Sequence, residues 1–189
     1  MSFNSDSFWD IDEQLRVLDL AQSGCAPNDL VMLVDRSGTP VVGESTRRFP
    51  DGRSRLNISG YSWGLVARGD PGATGSRTFQ PLYVVRRIDS ATATLSILAT
   101  SRAGGLTVCL SAFKAGGDAA ATETQPMFEI ELADAQITAQ FLTTGGPLAT
   151  MSESLCFSYR EITIRSWPQT ATGARGGVRE CTVQIASGS

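Results

Sequence analysis

The chain has 189 residues, 41% hydrophobic and 19% charged, with a formal net charge of −3. This fits one domain able to bury its own core and argues against a nucleic-acid binder or a basic membrane-surface protein. Histidine is absent, which removes Ser-His-Asp and Cys-His nucleophile systems, imidazole metal sites and histidine bases together. Lys114 is the only lysine among 16 basic residues, and arginine is the better residue for interface ion pairs because its planar fork holds carboxylates bidentately. Cys25, Cys109, Cys156 and Cys181 show no C-x-x-C spacing and read as small buried hydrophobes in a reducing compartment. The amino terminus has no basic n-region followed by an apolar run. The expected route is therefore synthesis in the cytoplasm and, if the protein leaves the cell, secretion without a cleavable signal peptide.

The first segment, "SDSFWDIDEQLRVLDLAQSGCAP", reads as a helix. Ser7 or Asp6 can cap it, Gly24 can end it, and Phe8, Ile11, Leu15 and Leu18 recur at helical spacing. The character then changes to strands. "LVMLVD" is a continuous apolar run, followed by the turn "RSGTP" and a short "VVG". The charged stretch 44–55, with Pro50, Asp51 and Gly52 as turn residues, reads as a long exposed loop of the kind that carries function. "LNISGYSWGLVAR" reads as a strand with a bend at Gly60, and "FQPLYVVRRI" as another. "DSATATLSILATSRAGG" reads as a helix with Asp89 or Ser90 as cap and Gly104 as stop; its threonines and serines leave it dependent on packing against a sheet. "LTVCLSAFK", "PMFEIEL", "AQITAQFL", "SESLCFSYREITIRSW" and "GVRECTVQIAS" are further strands, joined by Gly-rich turns. Strands at this spacing describe an antiparallel barrel or sandwich.

The stretch 152–167 changes phase in its middle. Leu155, Phe157 and Tyr159 alternate as a core face requires, whereas Ile162 and Ile164 fall on the other parity. A bulge near Arg160 and Glu161 would make the switch, since one extra residue turns every later side chain to the opposite face.

Candidate chemistry is sparse. Glu129 and Glu131 share a strand face, as a glycosidase-like carboxylate pair would, but no tuned acid or base partner accompanies them and a solvated face explains them. "GARGG" and "AGG" lack the lysine and hydroxyl of a phosphate loop. Ser62 in "GYSWG" lacks the strand-to-helix elbow of a nucleophile. No catalytic residue, cofactor or metal is expected.

Five stretches in order resemble the Hcp tube proteins of bacterial type VI secretion, over about 29–185. They are "VVGES" with its charged loop and "ISGYSWG"; "FQPLYVVRRIDSATA"; "LTVCLSAFKAGG", which contains Lys114; "FEIELADAQITAQFLTTGG"; and "ESLCFSYREITIRSW", opening on Glu153 and Ser154. The resemblance implies an antiparallel β-barrel with one flanking α-helix over 29–189, preceded by an N-terminal helical extension, 1–28, longer than the usual family start. Thr182 stands where an aromatic is common. It also implies a homo-hexamer formed head-to-tail, with ring stacking into a tube inside a contractile sheath. The implied partners are sheath proteins, a tip (spike) protein and effector proteins, with no nucleic acid and no membrane insertion. Within that frame Glu44, Arg47, Arg48, Phe49, Asp51 and Arg53 form the candidate ring-stacking loop. Ser62, alternating with Tyr61 and Trp63, is the candidate lumen-facing residue. A tail-tube protein of a phage or of an extracellular contractile particle shares these signals. A monomeric ligand-binding β-barrel with a polar-lined cavity, and a histidine-free hydrolase using Glu129 and Glu131, are the readings from other classes.

Overall fold

The apolar run at Leu30 becomes β1, Leu30–Arg36, buried on both faces except at its last residue. This is the pattern of a strand covered from two sides. The computed structural model describes residues 30–46, 49, 51–68, 76–113, 126–145, 150–168 and 176–185. The helix expected over the first segment, Arg47 and Arg48, the Lys114 turn, residues 173–175 of the "GARG" turn and residues 146–147 of the "GGP" turn lie outside these. After β1, Asp35 Oδ1 accepts the Gly38 N–H at 2.7 Å, and Ser37 and Gly38 take left-handed backbone at φ 53° and 86°. The short return strand is β2, Thr39–Pro40, two residues ahead of the expected "VVG".

The single strand expected over 56–68 is three: β3, Leu56–Asn57, β4, Gly60–Ser62, and β5, Leu65–Arg68. The break has a purpose in the topology. β3 pairs with β1, Ile58 N–H donates to Leu30 O at 3.1 Å, Ser59 N–H donates to Val85 O at 2.7 Å, and β4 pairs with β7, Leu82–Arg87. One short segment thus hands hydrogen bonds from one sheet margin to the other. The ladder runs from β1 through β8, Leu106–Ala112, β9, Phe128–Gly145, β10, Thr150–Ser158, and β7 to β4, all antiparallel, so 56–62 returns it to β1. β5 forms a separate hairpin with β6, Ser76–Phe79. Met32, Leu56, Leu82, Leu110, Leu132 and Phe157 fill the interior with no exposed surface. The one described helix, α1, Ala91–Thr100, adds Ala91, Leu95 and Leu98 to the same cluster.

Two expected strands are one, and one expected strand is two. β9 is 18 residues long and spans both "FEIEL" and "AQITAQFL". The phase-changing stretch divides into β10 and β11, Glu161–Ser166, which lie end to end along β9. The switch of faces is real, but its register is not as expected. Phe157 faces Ile137 and Glu161 faces Ala133, so the pairing passes Tyr159 and Arg160 without a shift. β9 switches with its neighbour: Ile130 and Leu132 point into the core before Asp134, Ala135 and Ile137 after it. The bulge belongs to β9, where Ala133 and Asp134 together oppose Thr107, and Asp134 takes φ 50°. A second shift lies between Cys156 and Phe157, opposite Thr138. Both strands turning together preserve the ladder while moving the buried face.

Tyr159 fastens this turn. Its hydroxyl accepts the Trp63 Nε1–H at 2.5 Å and donates to Gln80 O at 2.9 Å. Arg160 pairs with Asp134 at 3.0 Å. Among the described residues β12, Arg179–Gln184, pairs only with β11 and forms the outer margin.

Candidate assembly surfaces

The described residues of 44–55 form no strand, yet they are held against the sheet. Phe49 packs its ring on Phe113, 5.8 Å between centroids, and the Arg55 guanidinium sits 4.5 Å above Phe49. Arg55 also pairs with Asp51 at 2.7 Å, while Arg53 Nη1 lies 3.5 Å from Asp35 Oδ2. Burial pulls the Asp51 carboxyl upward, but the hydrogen bonds from Arg55 and the Arg53 N–H outweigh it and hold the group below its ordinary value. Phe49, Arg53 and Arg55 therefore lie against Phe113, Asp35 and Cys109, while Asp51, Gly52 and Arg53 stay exposed.

Glu44 does something the sequence reading did not assign. Ser90 N–H donates to its Oε1 at 3.1 Å, and the Glu44 N–H donates to Asp89 Oδ2 at 3.3 Å. The loop root is thereby tied to the start of α1, where orphan N–H groups and the helix dipole favour a carboxylate. Gly43 before it is required sterically: a Cβ there would come within 2.4 Å of Leu56 Cδ2. Asp89 rather than Ser90 supplies the side-chain cap, accepting the Ala91 N–H at 2.8 Å.

Beneath the cap lies a buried polar cluster. Arg86, 1% exposed, holds Glu153, 0% exposed, at 2.9 Å and Asp89 through its other terminal nitrogen. Thr92 Oγ1 and Gln140 Nε2 donate to the Glu153 carboxylate at 3.0 and 2.8 Å, and Ser96 donates to Gln140 Oε1 at 2.8 Å. The glycine-glutamate-serine loop, the aspartate-serine helix start and the glutamate-serine strand opening thus meet at one place. They form a latch that fixes the helix and the loop to the barrel, and every acidic member of it is engaged.

Glu129 and Glu131 are likewise engaged. Ser111 donates to Glu129 at 3.1 Å, and Arg165 bridges Glu131 at 2.5 Å and Glu180 at 2.6 Å. These hydrogen bonds raise the affinity of Arg165 for its proton. Burial, and next the charge of Glu129, push the Cys109 thiol up to about 12. Ser62 is half-buried and lies opposite Tyr83 on β7, while Tyr61 and Trp63 pack on the core from the other side. Tyr61 stacks on Phe128 with ring centroids 6.5 Å apart.

Large apolar side chains stand exposed at two places on the described surface. Phe141, Leu142 and Met151 at the β9–β10 hairpin are 54%, 60% and 55% exposed. Their signal was available: no charged residue occurs between Asp134 and Glu153. Met127 and Val178 form a second group beside Trp167, whose N–H donates to Met127 O at 3.0 Å. Among the described residues no group of three His, Cys, Asp or Glu could hold a metal, and no helix is long and apolar enough to cross a membrane.

A family model described as "Type VI secretion system effector, Hcp" matches residues 33–165. A search of the curated proteins gives no match. Among solved structures, a type VI secretion system effector from Yersinia pestis superposes with a TM-score of 0.60 at 16% identity, covering 82% of this chain and 99% of that one. Hcp1 of the E. coli EAEC 042 pathovar gives 0.61 at 14% identity, covering 83% and 99%. Hcp1 from Salmonella typhimurium gives 0.60 at 14%, covering 82% and 95%. These identities speak for the fold. With the family match running from β1 to β11 and the five stretches interlocked as one barrel and latch, the chain belongs to the Hcp family of type VI secretion.

Proposed function

We propose that this protein is the tube subunit of a type VI secretion system. Six copies close head-to-tail into a ring, rings stack into a tube inside a contractile sheath behind a tip (spike) protein, and effectors travel in the lumen or on the tip. The protein is a structural component rather than an enzyme and takes no cofactor. It is made in the cytoplasm and leaves through the machine it builds.

The observation that carries this reading is an antiparallel sheet, its β1 and β7 sides bridged by 56–62, that still leaves strand edges open. Among the described residues β12 pairs only with β11, and along the far half of β9, where the pairing with β8 stops at Ala135, only β10 accompanies it. Unpaired N–H and C=O groups on such edges seek partners, and a heterologous contact whose rotation closes gives a ring. The interior supports the same reading against a ligand-binding barrel, because it is filled by aliphatic and aromatic side chains.

Particle mass by light scattering with negative-stain electron microscopy tests it. The expected result is rings near six times the chain mass of 20.1 kDa. A solitary particle at high concentration overturns it.

A further inference from the structure

The β9–β10 hairpin ends in a segment whose composition is unusual for a surface. Leu142 and Met151 share one face, at diagonal cross-strand positions, because Leu142 lies opposite Glu153 and Thr144 opposite Met151. Phe141, next along β9, points to the other face. All three are more than half exposed. A hairpin that shows large apolar groups on both faces cannot be satisfied by lying flat on a surface. It has to be enclosed.

Exposed strands normally carry charge to prevent pairing. This one carries none from Ala135 through Ser152, and depletion of charge with apolar side chains at the centre is the composition of an interface core. At the opposite end of β9 lies the second apolar group. Met127 precedes β9, Val178 precedes β12, and Trp167 follows β11 between them, since Ser166 pairs with both Phe128 and Arg179. The two groups lie at opposite ends of an 18-residue strand, too far apart to meet within one subunit.

We propose that the β9–β10 hairpin of one copy inserts against the Met127–Trp167–Val178 surface of the next, as the apolar centre of the head-to-tail contact. This deepens the ring reading and rests on it. The hairpin group exposes on the order of 300 Å², a patch size that is commonly functional. Together with its receiving surface it supplies roughly half of the ~1,000 Å² that a specific contact needs. Two different patches per subunit are what a closing heterologous interface requires, whereas a two-fold dimer would bury one patch against itself.

The test uses the full chain with Leu142→Glu as the hairpin variant and Val178→Glu as the receiving variant. Phe141→Ser and Met127→Ser serve as second substitutions if either glutamate impairs folding, and circular dichroism establishes that each variant is folded. Mass photometry and light scattering read the assembly. Each variant alone is expected to need at least about tenfold more protein to assemble, as loss of a central anchor predicts. Mixed in equal amounts, the two variants are expected to form particles of twice the chain mass, because one intact hairpin and one intact receiving surface remain per pair. Rings that persist in both variants overturn the assignment and leave the ring reading standing. Monomers in the mixture overturn the pairing of these two surfaces. A wild-type protein that never assembles overturns the ring reading itself.

Discussion

Arg102 occupies a position that usually belongs to glycine. The Ala103 N–H donates to Leu98 O at 3.0 Å and the Arg102 N–H to Ala99 O at 3.1 Å, closing α1 in a Schellman motif with Arg102 at φ 50°. Gly104, which the sequence suggested as the stop, comes two residues too late to do this. A non-glycine residue in left-handed backbone carries a steric cost of about 1–2 kcal/mol. Arg102→Gly is therefore expected to stabilise the fold by roughly 1 kcal/mol, net of glycine's larger unfolded-state entropy. Urea denaturation at fixed protein concentration checks this, since association shifts apparent stability; an unchanged or lower midpoint contradicts it. Asp134, at the same φ, is different in kind. It forms the bulge that turns β9, and its pairing with Arg160 ties the turn to the neighbouring strands.

At the level of elements, α1 is held chiefly by what it packs on and is tied to. Its sequence is a weak helix former, and Glu153, on a strand far along the chain, accepts hydrogen bonds from Thr92 and Arg86. Removing one partner of a buried pair leaves an uncompensated charge and costs about 3–5 kcal/mol, whereas replacing both by apolar residues costs far less. Glu153→Ala is thus expected to destabilise by about 3 kcal/mol, and Glu153→Leu with Arg86→Met by much less, both read from urea midpoints. A double variant as damaged as the single one would show that packing, not charge, dominates here. The helix and most strands were legible in the sequence because apolar periodicity reports which side chains must leave water. The boundaries of β9, β10 and β11 were not. A bulge shifts the periodicity without ending the strand, so 126–145 reads as two elements, while Tyr159 and Arg160 end a strand with no glycine or proline to mark it.

For the whole molecule, the candidate stacking loop and the barrel are mechanically joined. Glu44, Phe49, Asp51 and Arg53 are each engaged within the chain, so these four side chains have little entropy left to lose on contact. Charge reversal at Arg47 and Arg48 is expected to shorten stacks while single rings survive, as counted by negative-stain microscopy; loss of the rings would refute the loop's assignment to stacking. The sequence by itself determined the class of fold, the absence of histidine chemistry, and a family resemblance carried by five ordered stretches. These depend on local composition and spacing, which a linear reading contains. Tertiary structure alone decided that Glu44, Asp89, Arg86 and Glu153 form one latch, that 56–62 bonds to both β1 and β7, and that apolar groups remain exposed at both ends of β9. Each of those depends on pairing between segments tens of residues apart, and burial is a property of such pairings rather than of any residue along the chain.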